Sequence, residues 1–268
     1  MWEPLMHRAL ALASLAQGRT SPNPLVGALV LDSSGRLIGE GYHARAGLPH
    51  AEVGALAQAG VAARGGTLIV SLEPCCHQGR TPPCTDAVIA AGIERVVVAL
   101  EDPDPRVAGG GISRLRSAGL EVITGVLKAQ AAHQNRAFVH RVRTGRPWGV
   151  LKWAMSLDGR TALPNGESQW ISGPEARTWV HQFRACCDAV IVGGGTVRAM
   201  IRCSPAVAGV PPNRCGWCSV AAWSCRFRPS SGTRMWLPPW WLTVRRHAMV
   251  QRPVDLSCCP CLCVIRIT

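Results

Sequence analysis

The residues best suited to chemistry in this 268-residue chain are an imidazole, two thiols and a carboxylate. His50-Ala51-Glu52 is followed by Pro74-Cys75 and, after eight intervening residues, by Cys84. One imidazole and two thiolates make a three-ligand zinc set with a fourth position left for water, as catalytic zinc requires. Zinc lowers the pKa of such a water toward neutrality and so supplies a nucleophile. Glu52, two residues after His50 at the predicted start of a helix, can reach the open side of the metal without being a ligand. It is placed to take a proton from water and pass it to a ring nitrogen and a departing amine. Cys84 is predicted to begin a helix, whose dipole favours a thiolate, and Pro82-Pro83 fix the loop before it. Two plainer readings stay open. The residues could be buried without a metal, or they could form a structural zinc site. A structural site wants a fourth protein ligand, which Cys76 or His77 could supply, although adjacent ligands on one metal are sterically awkward.

A second group of interest is the run Gly193-Gly194-Gly195-Thr196, which directly follows an apolar stretch. Backbone without side chains can approach a cofactor closely, and its amides can face phosphate or ribose oxygens. Alone, such a run is a weak signal, because a glycine-rich turn is often only a turn.

These groups need elements to hold them. The spacing of Leu5, Ala9, Leu12 and Ala16 predicts a helix over 3–17. Strands are predicted over 26–31 and 36–43, joined at Asp32-Ser33-Ser34-Gly35. A helix over 50–63, a strand over 67–72, a helix over 84–91 and a strand over 95–100 follow. A further helix runs over 109–117 and a strand over 121–125. This alternation points to a mixed α/β sandwich. Residues 128–147 are polar, helical at first, and end at Gly145-Arg146-Pro147, so a domain boundary falls after residue 146. A new α/β pattern then begins with a strand over 148–156. A helix over 174–186 follows, with Ser172 as N-cap and Pro174 in its first turn, and then a strand over 189–192.

The eight-residue gap between the cysteines departs from the two-residue gap of zinc deaminases in general. With it, Cys75-Cys76-His77-Gln78-Gly79-Arg80-Thr81-Pro82-Pro83-Cys84 resembles the pyrimidine deaminase of riboflavin synthesis. Thr20-Ser21-Pro22-Asn23-Pro24-Leu25-Val26-Gly27 is similar to that family's substrate-binding segment. The resemblance implies a cytidine-deaminase-like three-layer domain over 1–146, with zinc on His50, Cys75 and Cys84 and Glu52 as the catalytic proton shuttle. It implies that Asn23 contacts the pyrimidine, and that His77 and Arg80 contact base and phosphate. Downstream, Leu151-Lys152-Trp153-Ala154-Met155-Ser156-Leu157-Asp158-Gly159-Arg160 resembles the opening strand of the riboflavin-pathway reductase, a relative of dihydrofolate reductase. Ser168-Gln169-Trp170-Ile171-Ser172-Gly173 and Val192 to Arg198 match it as well. By this resemblance Lys152, Ser168 and Arg184 bind the phosphorylated substrate. Ala154, Trp170, Gly194, Gly195 and Thr196 line an NADPH site. The implied reaction is hydrolytic deamination of 2,5-diamino-6-(5-phosphoribosylamino)pyrimidin-4-one, followed in the intact family by reduction of the ribosyl to a ribityl chain.

The net charge of +13 is unevenly spread. Residues 200–268 hold nine arginines against one acid, Asp255, and also eight of the 13 cysteines and five of the 10 tryptophans. After Ala199 the family continues with Asp, then Asp or Asn, then Pro, with Leu-Thr soon after, whereas this chain reads Met200-Ile201-Arg202-Cys203-Ser204-Pro205. Back-translated with one added G, these residues regroup as Asp-Asp-Pro-Leu-Leu-Thr. A single-nucleotide deletion after Ala199 would make residues 200–268 an out-of-frame tail with no stable fold, leaving 147–199 as the first part of a reductase domain without activity. A cysteine-rich zinc module is the competing reading, from Cys215-Gly216-Trp217-Cys218 and Cys258-Cys259-Pro260-Cys261-Leu262-Cys263. The basic tail is then no evidence for nucleic acid.

No apolar run reaches the roughly 20 residues of a membrane helix. Nor does the start of the chain resemble a signal peptide. The expectation is a cytoplasmic enzyme acting on a small phosphorylated pyrimidine, with no membrane or nucleic-acid partner; a homo-oligomer is left open. The alternatives are a nucleic-acid base deaminase using the same zinc set, and an inactive remnant stabilised by zinc.

Overall fold

A computed structural model describes residues 2–79, 82–105, 107–193, 217–221 and 261–266, and the chain divides into two compact units between Trp148 and Gly149. The first unit is built on β1 (Gly27–Leu31), β2 (Leu37–Tyr42), β3 (Thr67–Leu72), β4 (Arg95–Leu100) and β5 (Glu121–Thr124), in the spatial order β2-β1-β3-β4-β5. β1 is antiparallel to β2 and β3, while β3–β4 and β4–β5 are parallel. Every residue of β1 and β3 is buried. Their continuous apolar runs are what a sheet covered on both faces demands.

The covering helices are α1 (Glu3–Ser14), α2 (Ala51–Ala59), α3 (Cys84–Ala90), α4 (Gly110–Ser117), α5 (Lys128–Gln134) and α6 (Arg136–Thr144). Two glycines show which side α1 and α2 take. A Cβ on Gly27 would lie 2.0 Å from the Ala9 carbonyl oxygen of α1; one on Gly41 would lie 2.3 Å from the Ala51 carbonyl oxygen of α2. Gly41 pairs with Ala28, the neighbour of Gly27, and successive residues of a strand face opposite ways. Hence α1 and α2 lie on opposite faces of the sheet. α3 packs on α2 and α4 on α3, whereas α5 packs on α1, which completes three layers. Met6, Leu29, Ile69, Val97 and Leu115 are fully buried within them.

The second unit holds β7 (Ala189–Gly193), β8 (Trp217–Ala221), β9 (Cys261–Arg266) and α7 (Pro174–Ala185). With β6 (Trp148–Trp153) at one edge, its sheet has the order β6-β9-β7-β8; β8 is parallel and β9 antiparallel to β7.

Some expected boundaries move. α1 stops at Ser14 because the amides of Ala16 and Gln17 bond back only three residues, in a tight turn toward Gly18 at φ +73°. Residues 128–147, expected to be helical only at first, carry two helices, α5 and α6, and helix runs on to Thr144. Gly173, not Ser172, is the N-cap of α7, with no side-chain cap bond, and Pro174 supplies the preset φ of the first position. β6 stops at Trp153, and a turn follows in which the Ser156 amide bonds the Arg160 carbonyl. β8 and β9 fall in the segment for which no stable fold was expected. Their runs Trp-Cys-Ser-Val-Ala and Cys-Leu-Cys-Val-Ile-Arg carry the bulky and β-branched residues that suit a pleated strand.

Candidate metal centre

The parallel strands β3 and β4 set the site's position, because ligands in such sheets gather beyond the strands' carboxyl ends. β3 ends at Leu72 and leads through Glu73-Pro74 to Cys75. α2 begins beside it: His50 is its N-cap residue and Glu52 lies in its first turn. Close approach of α2 to β2 seats this helix, since a Cβ on Gly39 would lie 2.2 Å from the Ala55 carbonyl oxygen. α3 starts at Cys84, immediately after Pro83.

These three helix and strand ends bring His50, Cys75 and Cys84 together, with their ligand atoms all within 4.8 Å of one another. His50 Nδ1 lies 3.1 Å from Cys84 Sγ and 3.6 Å from Cys75 Sγ. A tetrahedral zinc with Zn–S and Zn–N bonds of ordinary length spaces nitrogen and sulfur by about 3.5 Å, so the donor set fits that ion in both kind and distance. Among the described residues, His50, Cys75 and Cys84 are the cluster that could hold a metal, and Cys76 and His77 are not part of it.

The thiols are electrostatically unequal. Cys75 is pulled down to about 4, first by its hydrogen bond with Cys84 and also by His50. Cys84 is pushed up by the same contact and by burial. The sequence favoured a thiolate on Cys84 from its place at a helix start. In the structure the amide at that start, Cys84 N–H, donates instead to Cys75 Sγ at 3.3 Å. The helix terminus therefore stabilises charge on Cys75. His50 is raised, chiefly by its bond with Cys75. Glu52 is 3% exposed, and burial pushes it up to about 7.

Around the cluster, Asn23 is joined to it through His43, a residue the sequence reading missed. Asn23 Nδ2 lies 3.0 Å from His43 Nε2, and His43 Nδ1 lies 3.2 Å from the carbonyl oxygen of Pro49, the residue before His50. The His43 and His50 rings meet edge to face at 5.3 Å. Burial lowers His43 from its ordinary value. The Asn23 segment is itself pinned by buried Asn135, which accepts from the Leu25 amide at 2.8 Å and donates to the Leu25 carbonyl at 2.9 Å. His77 is exposed, two residues beyond Cys75, and interacts electrostatically with Asp102. Arg80, Gly194, Gly195 and Thr196 lie outside the described residues.

In the second unit, Lys152 and Ala154 are half-buried at the end of β6, Ser168 is half-buried, and Arg184 is half-buried in the last turn of α7. Trp170 is exposed, with the Arg177 guanidinium 4.1 Å above its ring.

Comparison with known proteins bears on both units. The cytidine and deoxycytidylate deaminase zinc-binding region matches residues 2–100, and the RibD C-terminal domain matches residues 147–209. The riboflavin biosynthesis protein RibD of Synechocystis sp. is 53% identical over 193 residues, which is 72% of this chain and 52% of that protein. The structure of Acinetobacter baumannii RibD, form 1, matches at 49% identity and a TM-score of 0.70, covering 74% of this chain and 55% of that one. A Thermotoga maritima diaminohydroxyphosphoribosylaminopyrimidine deaminase/5-amino-6-(5-phosphoribosylamino)uracil reductase matches at 45% identity and a TM-score of 0.70, covering 74% of this chain and 56% of that one. The chain spans about half the length of the relatives it matches.

Proposed function

This chain is a homologue of the RibD riboflavin-biosynthesis proteins over about three quarters of its length, and on that premise we propose that residues 1–146 catalyse hydrolytic deamination of 2,5-diamino-6-(5-phosphoribosylamino)pyrimidin-4-one. The carrying observation is the convergence of His50, Cys75 and Cys84 at zinc-ligand spacing beside a buried Glu52. Zinc held there would supply a water of lowered pKa. Glu52 would take one proton from the water as it adds to the amino-bearing ring carbon and deliver it to a ring nitrogen, then take the proton of the added hydroxyl and deliver it to the amino group, which leaves as ammonia as the ring carbonyl forms. Asn23, held by His43, contacts the pyrimidine, and His77 and Arg80 contact base and phosphate.

Residues 147–199 are the opening of an NADPH-dependent reductase domain, with Lys152, Ser168 and Arg184 for the phosphorylated substrate and Ala154, Trp170, Gly194, Gly195 and Thr196 for the cofactor. The tail after Ala199 is read out of frame, and this polypeptide does not oxidise NADPH. Support comes from the tail's composition and from the relatives' matches, which leave about a quarter of the chain uncovered. Resequencing the gene across the codons for Ala199 and Met200 tests the frame. The place of action is the cytoplasm; no helix among the described residues is long and apolar enough to cross a membrane.

The direct test of the deaminase reading is Glu52→Gln. Ammonia release from the pyrimidine phosphate drops by about 10²–10⁴-fold while zinc stays stoichiometric. Equal rates for wild type and variant, both holding zinc, would sink it.

A further inference from the structure

Glu73 is 3% exposed, immediately precedes Pro74-Cys75, and among the described residues four backbone amides donate to its carboxylate. Oε2 accepts from the amides of Asp102 at 3.1 Å and Gly109 at 3.0 Å. Oε1 accepts from Gly111 at 2.9 Å and Ile112 at 3.1 Å, the second and third residues of α4. The α4 N-cap residue, Gly109, has no side chain to cap with. Glu73 therefore serves as the cap from 38 and 39 residues away, filling orphan amides that a helix start leaves open. Its own amide donates to Leu100 O at 2.9 Å, extending the β3–β4 ladder past Leu72. One residue thus ties together the end of β3, the loop after β4 and the first turn of α4.

The glycines of that turn are fitted to the same joint. A Cβ on Gly111 would stand 2.0 Å from the Pro74 carbonyl oxygen and 3.2 Å from Glu73 Oε1, and one on Gly110 would stand 3.0 Å from Cys76 Sγ. The Pro74 carbonyl and the Cys76 side chain, on either side of Cys75, therefore lie against the start of α4, with the buried carboxylate as the fastening.

We propose that Glu73 is a positioning residue of the metal centre: it fixes the Pro74-Cys75 segment, so that the Cys75 sulfur is pre-set for zinc, by tying that segment to the amides of Asp102 and Gly109 and to the first turn of α4. The inference rests on the zinc reading of the cluster. Carboxylates and other groups one step behind metal ligands change metal affinity by about 10–100-fold when altered. In Glu73→Gln an amide NH₂ replaces one oxygen and faces two N–H donors, which opens the fastening.

The test follows zinc transfer from purified full-length protein to a colorimetric chelator at a temperature well below melting. The comparison variant, Val97→Ala, is a fully buried change on β4 and controls for lost stability. Glu73→Gln releases zinc about tenfold or more faster than wild type, and Val97→Ala releases it at the wild-type rate. Glu73→Asp, which is shorter and cannot reach both amide pairs, shifts release in the same direction and carries the test if Glu73→Gln does not fold. If the Glu73 variants release zinc no faster than Val97→Ala, Glu73 serves only the fold and the proposal is overturned. Wild type that carries no stoichiometric zinc is a different result, since it removes the zinc reading itself.

Discussion

The two halves of this molecule use similar local patterns with different results. In residues 1–148 the apolar stripes are covered on both sides of the sheet, and Met6, Leu29, Ile69, Val97 and Leu115 lie below 2% exposure. In residues 149–267 the helix α7 has no buried residue, and Leu151, Trp153, Leu157 and Trp179 are exposed. Both halves contain good strands and a well-formed helix. What separates them is tertiary closure: burial of apolar area is the main favourable term in folding, and secondary structure alone does not supply it. The metal cluster sits in the half where closure is complete, which is where three ligands from three separate elements can be held to ångström tolerance.

The sharpest way to break this comparison is to remove the metal. A ligand that binds only the folded state at a thousandfold over its dissociation constant contributes about 4 kcal/mol. Stripping zinc by dialysis against a chelator therefore lowers the melting temperature of the first unit by about 10 °C or more. In hydrogen exchange, α2 and β3 lose protection while α7 keeps whatever protection it had. Equal loss of protection in α7 would mean that the halves are one cooperative unit.

A smaller effect comes from truncating one side chain in each half. Ile69 is fully buried in β3, so Ile69→Ala removes its contacts and leaves a cavity, at a cost of about 2–5 kcal/mol. Trp179, 62% exposed and stacked on Phe183 at 5.5 Å, gives up far less; Trp179→Ala costs about 0.5 kcal/mol or less. Urea denaturation of the two variants measures both. A large loss from Trp179→Ala would show that the second unit has a core that its exposure does not reveal.

How much of this was legible beforehand depends on how far apart in the chain the partners lie. The convergence of His50, Cys75 and Cys84 could be read because their types and spacing are written into two short segments, and the strands could be read because period-two and largely apolar runs are local. His43, Asn135 and Glu73 could not. Their partners stand 20, 110 and 29–39 residues away, and a lone histidine, asparagine or glutamate carries no periodic mark. The one sequence cue for Glu73 was the run Gly109-Gly110-Gly111, which reads only as the opening of a helix until Pro74 and Cys76 are seen against it. The N-cap of α7 was misplaced for a related reason: Ser172 and Gly173 both suit an N-cap, and propensity does not choose between neighbours. The side of the sheet taken by α1 and α2 was equally hidden, because it depends on register between strands.

The smallest predicted effect concerns the joint next to the metal and has a sign set by pH. Asp102 is pushed up to about 6, mainly by burial, against the bond from the Asp104 amide, and further by the carboxylates of Asp104 and Glu73, with His77 also opposing. A carboxyl raised in the folded state binds its proton more tightly there than in the unfolded chain. Its contribution to stability is therefore fully present below the unfolded value near 4, and is lost as pH rises through about 6. Above that, ionised Asp102 is a burden that Asp102→Asn removes, while the Asn carbonyl can keep the bond from the Asp104 amide, 2.9 Å long in the wild type. The variant should melt with wild type at pH 4 and above it at pH 7.5, by about 1–2 kcal/mol. A gap of the same size at both pH values would show that the substitution changes packing alone. A gap that opens only at low pH would reverse the sign and place Asp102 among groups stabilised by ionisation, which would make His77 a stronger partner than burial is an opponent.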